Sequence, residues 1–335
     1  MLAYTAKRLI GTVPVLLLIT LLVFAMMHAA PGDPATMLVN EEATPEEIAE
    51  IRARWGLDQP MIVQYLRFVA AALTLDFGES FRYGVPVAEL IAERFPATLE
   101  LAVYATLIAV IIAVPLGVWA GSRPNSWIDS AGSFFGFFGI SMPNFWMAIM
   151  LILLVAGTFN LLPSSGRSTW GIEVPVMTGF RTIDALIAGN WTAFRDAIAH
   201  LLLPAFVLGI NMTGILMRIT RSSIMEQMNE DYIMTARAKG LSGRLVLWRH
   251  GLRNALVTII TIVGLEFGAL LSGSIIVETI FAWPGIGALL LQGLGARDYP
   301  LITGVVMVYT LLFIFVNLLV DILYASIDPR INLDR

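Results

Sequence analysis

The sequence predicts an all-α integral membrane protein with six transmembrane helices and a small helical outer segment between the first two. Three observations carry that expectation. Of 335 residues, 57% are hydrophobic and only 14% charged, against roughly 25% charged in an average soluble domain, and the mean hydropathy is +0.78. Six apolar stretches are long enough to cross a hydrocarbon core about 30 Å thick, which takes roughly 20 residues of helix. None alternates with a period of two, and in hydrocarbon every backbone N–H and C=O must bond within its own segment unless a barrel closes. Helix is what remains.

In chain order the spans are Leu9–Ala30, Thr98–Ala120, Ser130–Gly157, Ile198–Ile219, Ala255–Ile280 and Leu301–Ser326. The first follows Lys7 and Arg8 and exceeds a signal-peptide core of roughly 7 to 15 residues, so residues 1–30 read as a cytoplasmic end with a retained helix. Residues 31–97 are too polar to cross. Thr44-Pro45-Glu46-Glu47 offers a capping Thr, a Pro at the first helical position and a Glu three residues after the cap, with Gly56 to close. A second short helix is expected from Pro60, and a third from Pro86, which brings Val87, Leu90 and Ile91 to one face. About 65 residues bury too little core to stand alone, so packing on the outer ends of the spans is expected.

Residues 98–326 then form the membrane core and 327–335 a cytoplasmic tail. Within the core, the loop 158–197 reads as an outer lid or docking surface. The stretch FAWPGIGALLLQGLGARDYP, 281–300, has Pro284, Gly285 and Gly287 before an apolar run too short to cross, which predicts an interfacial or re-entrant helix. Lys7, Arg8, Arg123, the basic loop 220–254, Arg330 and Arg335 fall on one side, which places both termini in the cytoplasm. Arg52, Arg54, Arg67, Arg82 and Arg94 lie in the long outer segment, which the positive-inside rule does not count.

The composition excludes several functions. Net charge is −4 with Lys and Arg scattered over loops, so no basic surface for nucleic acid is expected. Cysteine is absent, which removes disulfides, thiolate metal sites and cysteine nucleophiles while leaving the compartment open. A phosphate-binding loop needs Lys before Ser or Thr, but Lys7 precedes Arg8 and Lys239 precedes Gly240. The chain is therefore expected to be no enzyme and to hold no cofactor; any driving ATP binds elsewhere. His28, His200 and His250 are far apart near span ends, where snorkelling toward headgroups, not metal ligation, is expected.

The cytoplasmic loop between the fourth and fifth spans carries Arg237, Lys239, Arg244, Arg249 and Arg253. Asp231 to Lys239 is rich in helix formers, and Gly240 is a natural stop. Ser242 can cap a following helix; Asp231 suits the first helix's N-terminus, and Arg237 and Lys239 its C-terminus. The small Thr235, Ala236, Ala238 and Gly240 would let another protein's groove approach, with Tyr232, Ile233 and the basic groups for grip. Equally, the cations could simply attract anionic lipid, each worth about 1 kcal/mol near the surface. Spacing alone balances the two readings.

The stretch resembles the E-A-A-x-x-x-G loop signature of ABC importer permeases, in the D-Y-x-x-T-A-R-A-K-G-L form of the dipeptide and oligopeptide permeases. Asp231, Tyr232, Thr235, Ala236, Arg237, Ala238, Lys239, Gly240 and Leu241 match it, and RHGLRNAL follows from Arg249 to Leu256. Met234 stands at the acidic position of the general motif and Thr258 where many relatives have Pro. PGDP (31–34), WGLDQP (55–60), LDFGES (75–80), PATLEL (96–101), ETIFAWPGIG (278–287) and RDYPLI (297–302) extend the likeness along nearly the whole chain. The resemblance implies a type I ABC importer permease fold in a bacterial or archaeal cytoplasmic membrane. Its partners would be a second, homologous but non-identical permease, two cytoplasmic ATPase subunits that bind ATP and Mg, and an extracytoplasmic substrate-binding protein. It also implies that the helix from Asp231 couples to the ATPase. Peptides are the implied cargo, with nickel complexes, glutathione or oligosaccharides as alternatives within the family.

Two small-residue ridges, Gly264 with Gly268 and Ser272, and Gly132 with Gly136, predict close helix packing. Glu266 lies about 200° around its helix from Gly264 at 100° per residue, near mid-bilayer. A carboxylate there should face a wet cavity or a partner helix, so Glu266 is a candidate pathway residue or a structural one, and Asn211 likewise. A stand-alone secondary transporter would show paired broken helices; no internal repeat is visible. A membrane scaffold without transport is the other alternative.

Overall fold

The structure, a computed structural model, describes residues 2–29, 44–46, 49, 52–53 and 58–327. The PGDP segment, most of the helix expected between Thr44 and Gly56, and the tail 328–335 lie outside the described residues. Its helices are α1 (Leu2–Ala29), α2 (Met61–Leu73), α3 (Val87–Ser122), α4 (Trp127–Ser141), α5 (Asn144–Leu151), α6 (Arg181–Ile187), α7 (Trp191–Met228), α8 (Asp231–Ala238), α9 (Leu252–Gly273), α10 (Ile275–Ile280), α11 (Ile286–Ala296) and α12 (Tyr299–Ile327). Two π-helical stretches extend them: Ile152–Thr158 continues α5, and Val246–Gly251, after a turn at Gly243–Leu245, leads into α9.

Four helices are long and apolar enough to cross a membrane, and the bent pair α4 and α5 makes a fifth if counted as one span. α1 is 28 residues long, and Val13–Ala25 is an apolar stretch within it. Three spans differ from expectation. The third is broken, with α4 and α5 bent by 101°. Proline bars the preceding residue from the helical region, and Met142, before Pro143, sits at φ −87°, ψ 125°. The second span and the helix expected at Pro86 are one helix, α3, 36 residues long; Pro96 and Pro115 lie inside it, as membrane helices tolerate when neighbours supply hydrogen bonds. The fifth stops at Gly273, and α10 restarts after Ser274.

The chain divides into two compact units, Arg94–Ala288 with Leu312–Arg335, and Leu2–Glu93 with Leu289–Leu311. In the smaller, α1 and α2 are joined by Thr20 and Tyr65, whose hydroxyls are 3.0 Å apart, and Phe24 meets the Tyr65 ring edge-on. Asp298 caps α12: its buried carboxylate accepts from Leu301 N at 3.2 Å, and also from Ser80 Oγ at 2.5 Å and Arg82 N at 3.1 Å. An N-cap aspartate satisfies N–H groups that a helix start leaves unpaired.

In the larger unit α7 is the hub, with a 38-residue length. It starts with Asn190, whose side chain accepts from Ala193 N at 3.0 Å. Both predicted ridges pack closely. A Cβ on Gly214 of α7 would lie 2.4 Å from the Gly136 carbonyl of α4, and one on Gly264 of α9 2.2 Å from Val320 of α12. Leu216, Met217 and Ile224 of α7 also share a buried cluster with Ala113 and Val118 of α3 and Ala255 and Ile259 of α9. His200 does not snorkel as expected. It is buried, its Nδ1 2.9 Å from the Asp196 carbonyl.

Candidate functional site

Asp231, Tyr232, Thr235, Ala236, Arg237 and Ala238 lie on α8, and Lys239, Gly240 and Leu241 form its end. Glu230 precedes it in an extended conformation with no side-chain cap, Asp231 is in the first turn and Arg237 in the last, so its charges match the helix dipole. Its end is a Schellman turn: Gly240 N–H donates to Arg237 O at 2.9 Å and Leu241 N–H to Ala236 O at 3.4 Å. Gly240 has φ +77°, and a Cβ there would meet nothing within 4 Å. Glycine is required by the backbone angle, not by space. Ser242 stands at the N-cap position of the next turn but makes no capping hydrogen bond.

The helix has two faces. Ile233 and Ala236 are buried against Val246, with Met228, Tyr232 and Leu241 around them. Asp231, Met234, Thr235 and Ala238 share the opposite, exposed stripe, flanked by exposed Arg237 and Lys239, as the 3.6-residue period dictates. Sequence reasoning offered Ile233 and Ala236 to a partner; the structure turns both inward. The exposed residue that the sequence reading passed over is Met234, 58% exposed within the stripe, because it departs from the acidic motif position. A surface cleft beside the helix is lined by Ser242, Arg244, Leu245 and Trp248.

This helix is tied to the spans on both sides. Tyr232 OH donates to Gln227 Oε1 on α7 at 2.7 Å. A Cβ on Gly251, where the π-helical stretch enters α9, would lie 3.1 Å from Met228 Sδ at the end of α7. Further up, Arg221 of α7 grips Asp129 of α4 through two hydrogen bonds, Nε to Oδ1 and an Nη to Oδ2 at 2.8 Å, a bidentate geometry with strong orientation.

Glu266 of α9 and Asn211 of α7 are both half-buried. No hydrogen bond joins them, and Glu266 makes none with any described residue.

Buried acid networks in the core were not foreseen. Glu278, fully buried in α10, accepts from Thr98 Oγ1 at 2.7 Å, Ser274 Oγ at 2.9 Å and Ala288 N at 2.9 Å. A Cβ on Gly285 would lie 2.4 Å from the Glu278 carboxyl, so the Trp-Pro-Gly turn closes over that acid. The signal was available: an acid at a span's end, followed within a few residues by Pro-Gly. Glu100 of α3 holds the 158–190 loop, accepting from Arg167 Nη at 2.5 Å and from Thr182 N at 2.8 Å. Within that loop, burial raises the Asp184 carboxyl, but bonds from Thr178, Met177 and Gly179 outweigh it and hold the pKa below the usual value. The hold it contributes is present above the ordinary carboxylate range and lost as pH falls through its own lower value.

Family models agree with one reading of this arrangement. Residues 113–333 match the binding-protein-dependent transport system inner membrane component model, and residues 1–102 its N-terminal companion. The chain is 43% identical over 336 residues to the dipeptide transport system permease protein DppB of Escherichia coli (strain K12), covering 99% of both. It is 40% identical to the oligopeptide transport system permease protein AppB of Bacillus subtilis (strain 168), over 99% of this chain and 100% of that one. The glutathione transport system permease protein GsiC of Salmonella paratyphi A is 39% identical over 99% of each. A crystal structure of an amino acid ABC transporter with histidines matches with a TM-score of 0.51 at 16% identity, covering 71% of this chain and 94% of that one. That last likeness concerns the fold alone.

Proposed function

This chain belongs to the family of binding-protein-dependent transport system inner membrane components, and from that membership we propose that it is the permease subunit of an ATP-driven importer of dipeptides or oligopeptides. It forms half of the translocation pathway with a second, homologous permease. Two cytoplasmic ATPase subunits bind the ATP and Mg, and an extracytoplasmic binding protein delivers cargo. The chain itself does no chemistry and holds no cofactor. Both termini face the cytoplasm.

The observation that carries the coupling reading is the division of α8 into an inward face packed on its own chain and an outward stripe, Asp231, Met234, Thr235 and Ala238, with nothing over it. Seated in an ATPase cleft, α8 would pass closure of the nucleotide sites to α7 and α9 as a tilt, the two-state element that coupling between distant sites requires. Glu266 and Asn211 are the proposed pathway residues. Peptide is favoured over glutathione because the relatives at 40–43% identity named above carry peptide transport names.

The absence of native cysteine makes the test clean. Met234→Cys and Ala238→Cys should cross-link to a cysteine in the ATPase cleft of the assembled importer, and Ala236→Cys, facing inward, should not. Equal reaction at all three positions would contradict the assigned face.

A further inference from the structure

A cleft of about 360 Å³ opens between α4 and α7, at the low end of the roughly 300–1,000 Å³ typical of small-molecule sites. One end is polar, formed by Ser133, Arg218, Arg221 and Ser222. The other is apolar, walled by Phe137, Ile140 and Met217. From Ser222 to Gly214 the α7 wall rises about 12 Å at 1.5 Å per residue. The polar end coincides with the end of the fourth span and the start of the third, so it lies at headgroup depth and the apolar end lies within the hydrocarbon.

The two arginines differ. Arg221 is committed to Asp129. Arg218 is exposed and makes no hydrogen bond or ion pair with any described residue. A free guanidinium at the mouth of a cleft whose depth is apolar complements one amphiphile, a phosphodiester headgroup followed by an acyl chain. Gly136 and Gly214 form its floor, where the two main chains touch.

We propose that this cleft binds an anionic phospholipid of the leaflet on the α8 side, with the phosphate on Arg218 and one acyl chain against Phe137 and Ile140. It borrows only the orientation given under Proposed function. Bound there, the lipid would sit on the α4 and α7 pair beside the Arg221 and Asp129 clamp, where it stiffens the helix that carries α8.

The test is native mass spectrometry of the purified full-length chain, and of the assembled importer, with phosphatidylglycerol or phosphatidylcholine added at equal concentration. Phosphatidylglycerol should be retained about fivefold over phosphatidylcholine, what one Lys or Arg near an anionic surface is worth. Arg218→Gln should erase that preference and Arg218→Lys should keep it. An equal preference in Arg218→Gln would overturn the proposal. So would displacement of the lipid by glycerol phosphate at matched concentration, which would make this a site for a soluble phosphate. Loss of the lipid on assembly would overturn it too, showing that the second permease fills the cleft. Retention is read without uptake or ATP hydrolysis, so its failure leaves the transport function standing.

Discussion

Gly240 sets the narrowest tolerance in α8, the proposed coupling element. With φ at +77° and open space around it, a substitution is resisted by the backbone alone, by roughly 1–2 kcal/mol for an ordinary residue and more for a β-branched one. Gly240→Val should therefore unwind the Schellman turn and lower the peptide imported per ATP hydrolysed by a reconstituted importer, whereas Gly240→Asn, which tolerates the left-handed region, should stay near native. If Val and Asn behave alike, the turn is not what transmits motion. Glu266 is the other decisive residue, because a half-buried carboxylate in a span with no bonded partner among the described residues is expensive unless it meets water or a neighbouring subunit. Glu266→Gln should slow uptake while the complex still assembles; unchanged uptake would remove it from the pathway. The residues of α8 were legible as a helical segment, since Asp231, the small residues and Gly240 follow capping and dipole rules. Which of them face out was not, because Ile233 and Ala236 find their partner in Val246, in the next turn of the chain, and hydrophobic period alone does not say which surface a short helix covers.

Among the elements, α7 binds the others, and its contact with α4 depends on main chains in near contact. A Cβ on Gly214 would fall 2.4 Å from a carbonyl oxygen, and backbone cannot step aside. Gly214→Ile should sharply lower the amount of folded chain in the membrane; normal accumulation would mean that α4 and α7 part easily. The Arg221 and Asp129 clamp lies on the same pair. Asp129→Asn removes a charge-assisted bond worth about 2 kcal/mol and should lower the thermal midpoint by several degrees, while an unchanged midpoint would reduce the clamp to a surface ion pair of little worth. Sequence pattern located Gly132 and Gly136 on the α4 side of this contact, and the long apolar runs, since both follow from the lack of water in the bilayer; it did not single out Gly214. It placed breaks poorly. The third span reads as one run of hydropathy although Pro143 bends it, and α3 runs on through the expected boundary at Thr98 because hydropathy gives no reason to stop at Pro96. Tertiary partners decide such points: Glu278 with Thr98, and Glu100 with Thr182 and Arg167, unite residues 180, 82 and 67 positions apart.

For the whole molecule, the account is that of a permease half without a motor. Its family membership and the relatives of full-length similarity make it an inner membrane transport component, its two lysines exclude a phosphate-binding loop, and its exposed α8 stripe is where we propose that force enters. Transport should then depend on everything the chain does not contain. The most direct measurement is uptake of a labelled dipeptide into vesicles holding this chain with its permease mate, with the ATPase pair and binding protein supplied or withheld. The account predicts uptake only when ATPase, ATP and binding protein are all present, and none from this chain alone. Peptide accumulation by the lone chain, or by the assembled importer without ATP, would contradict it.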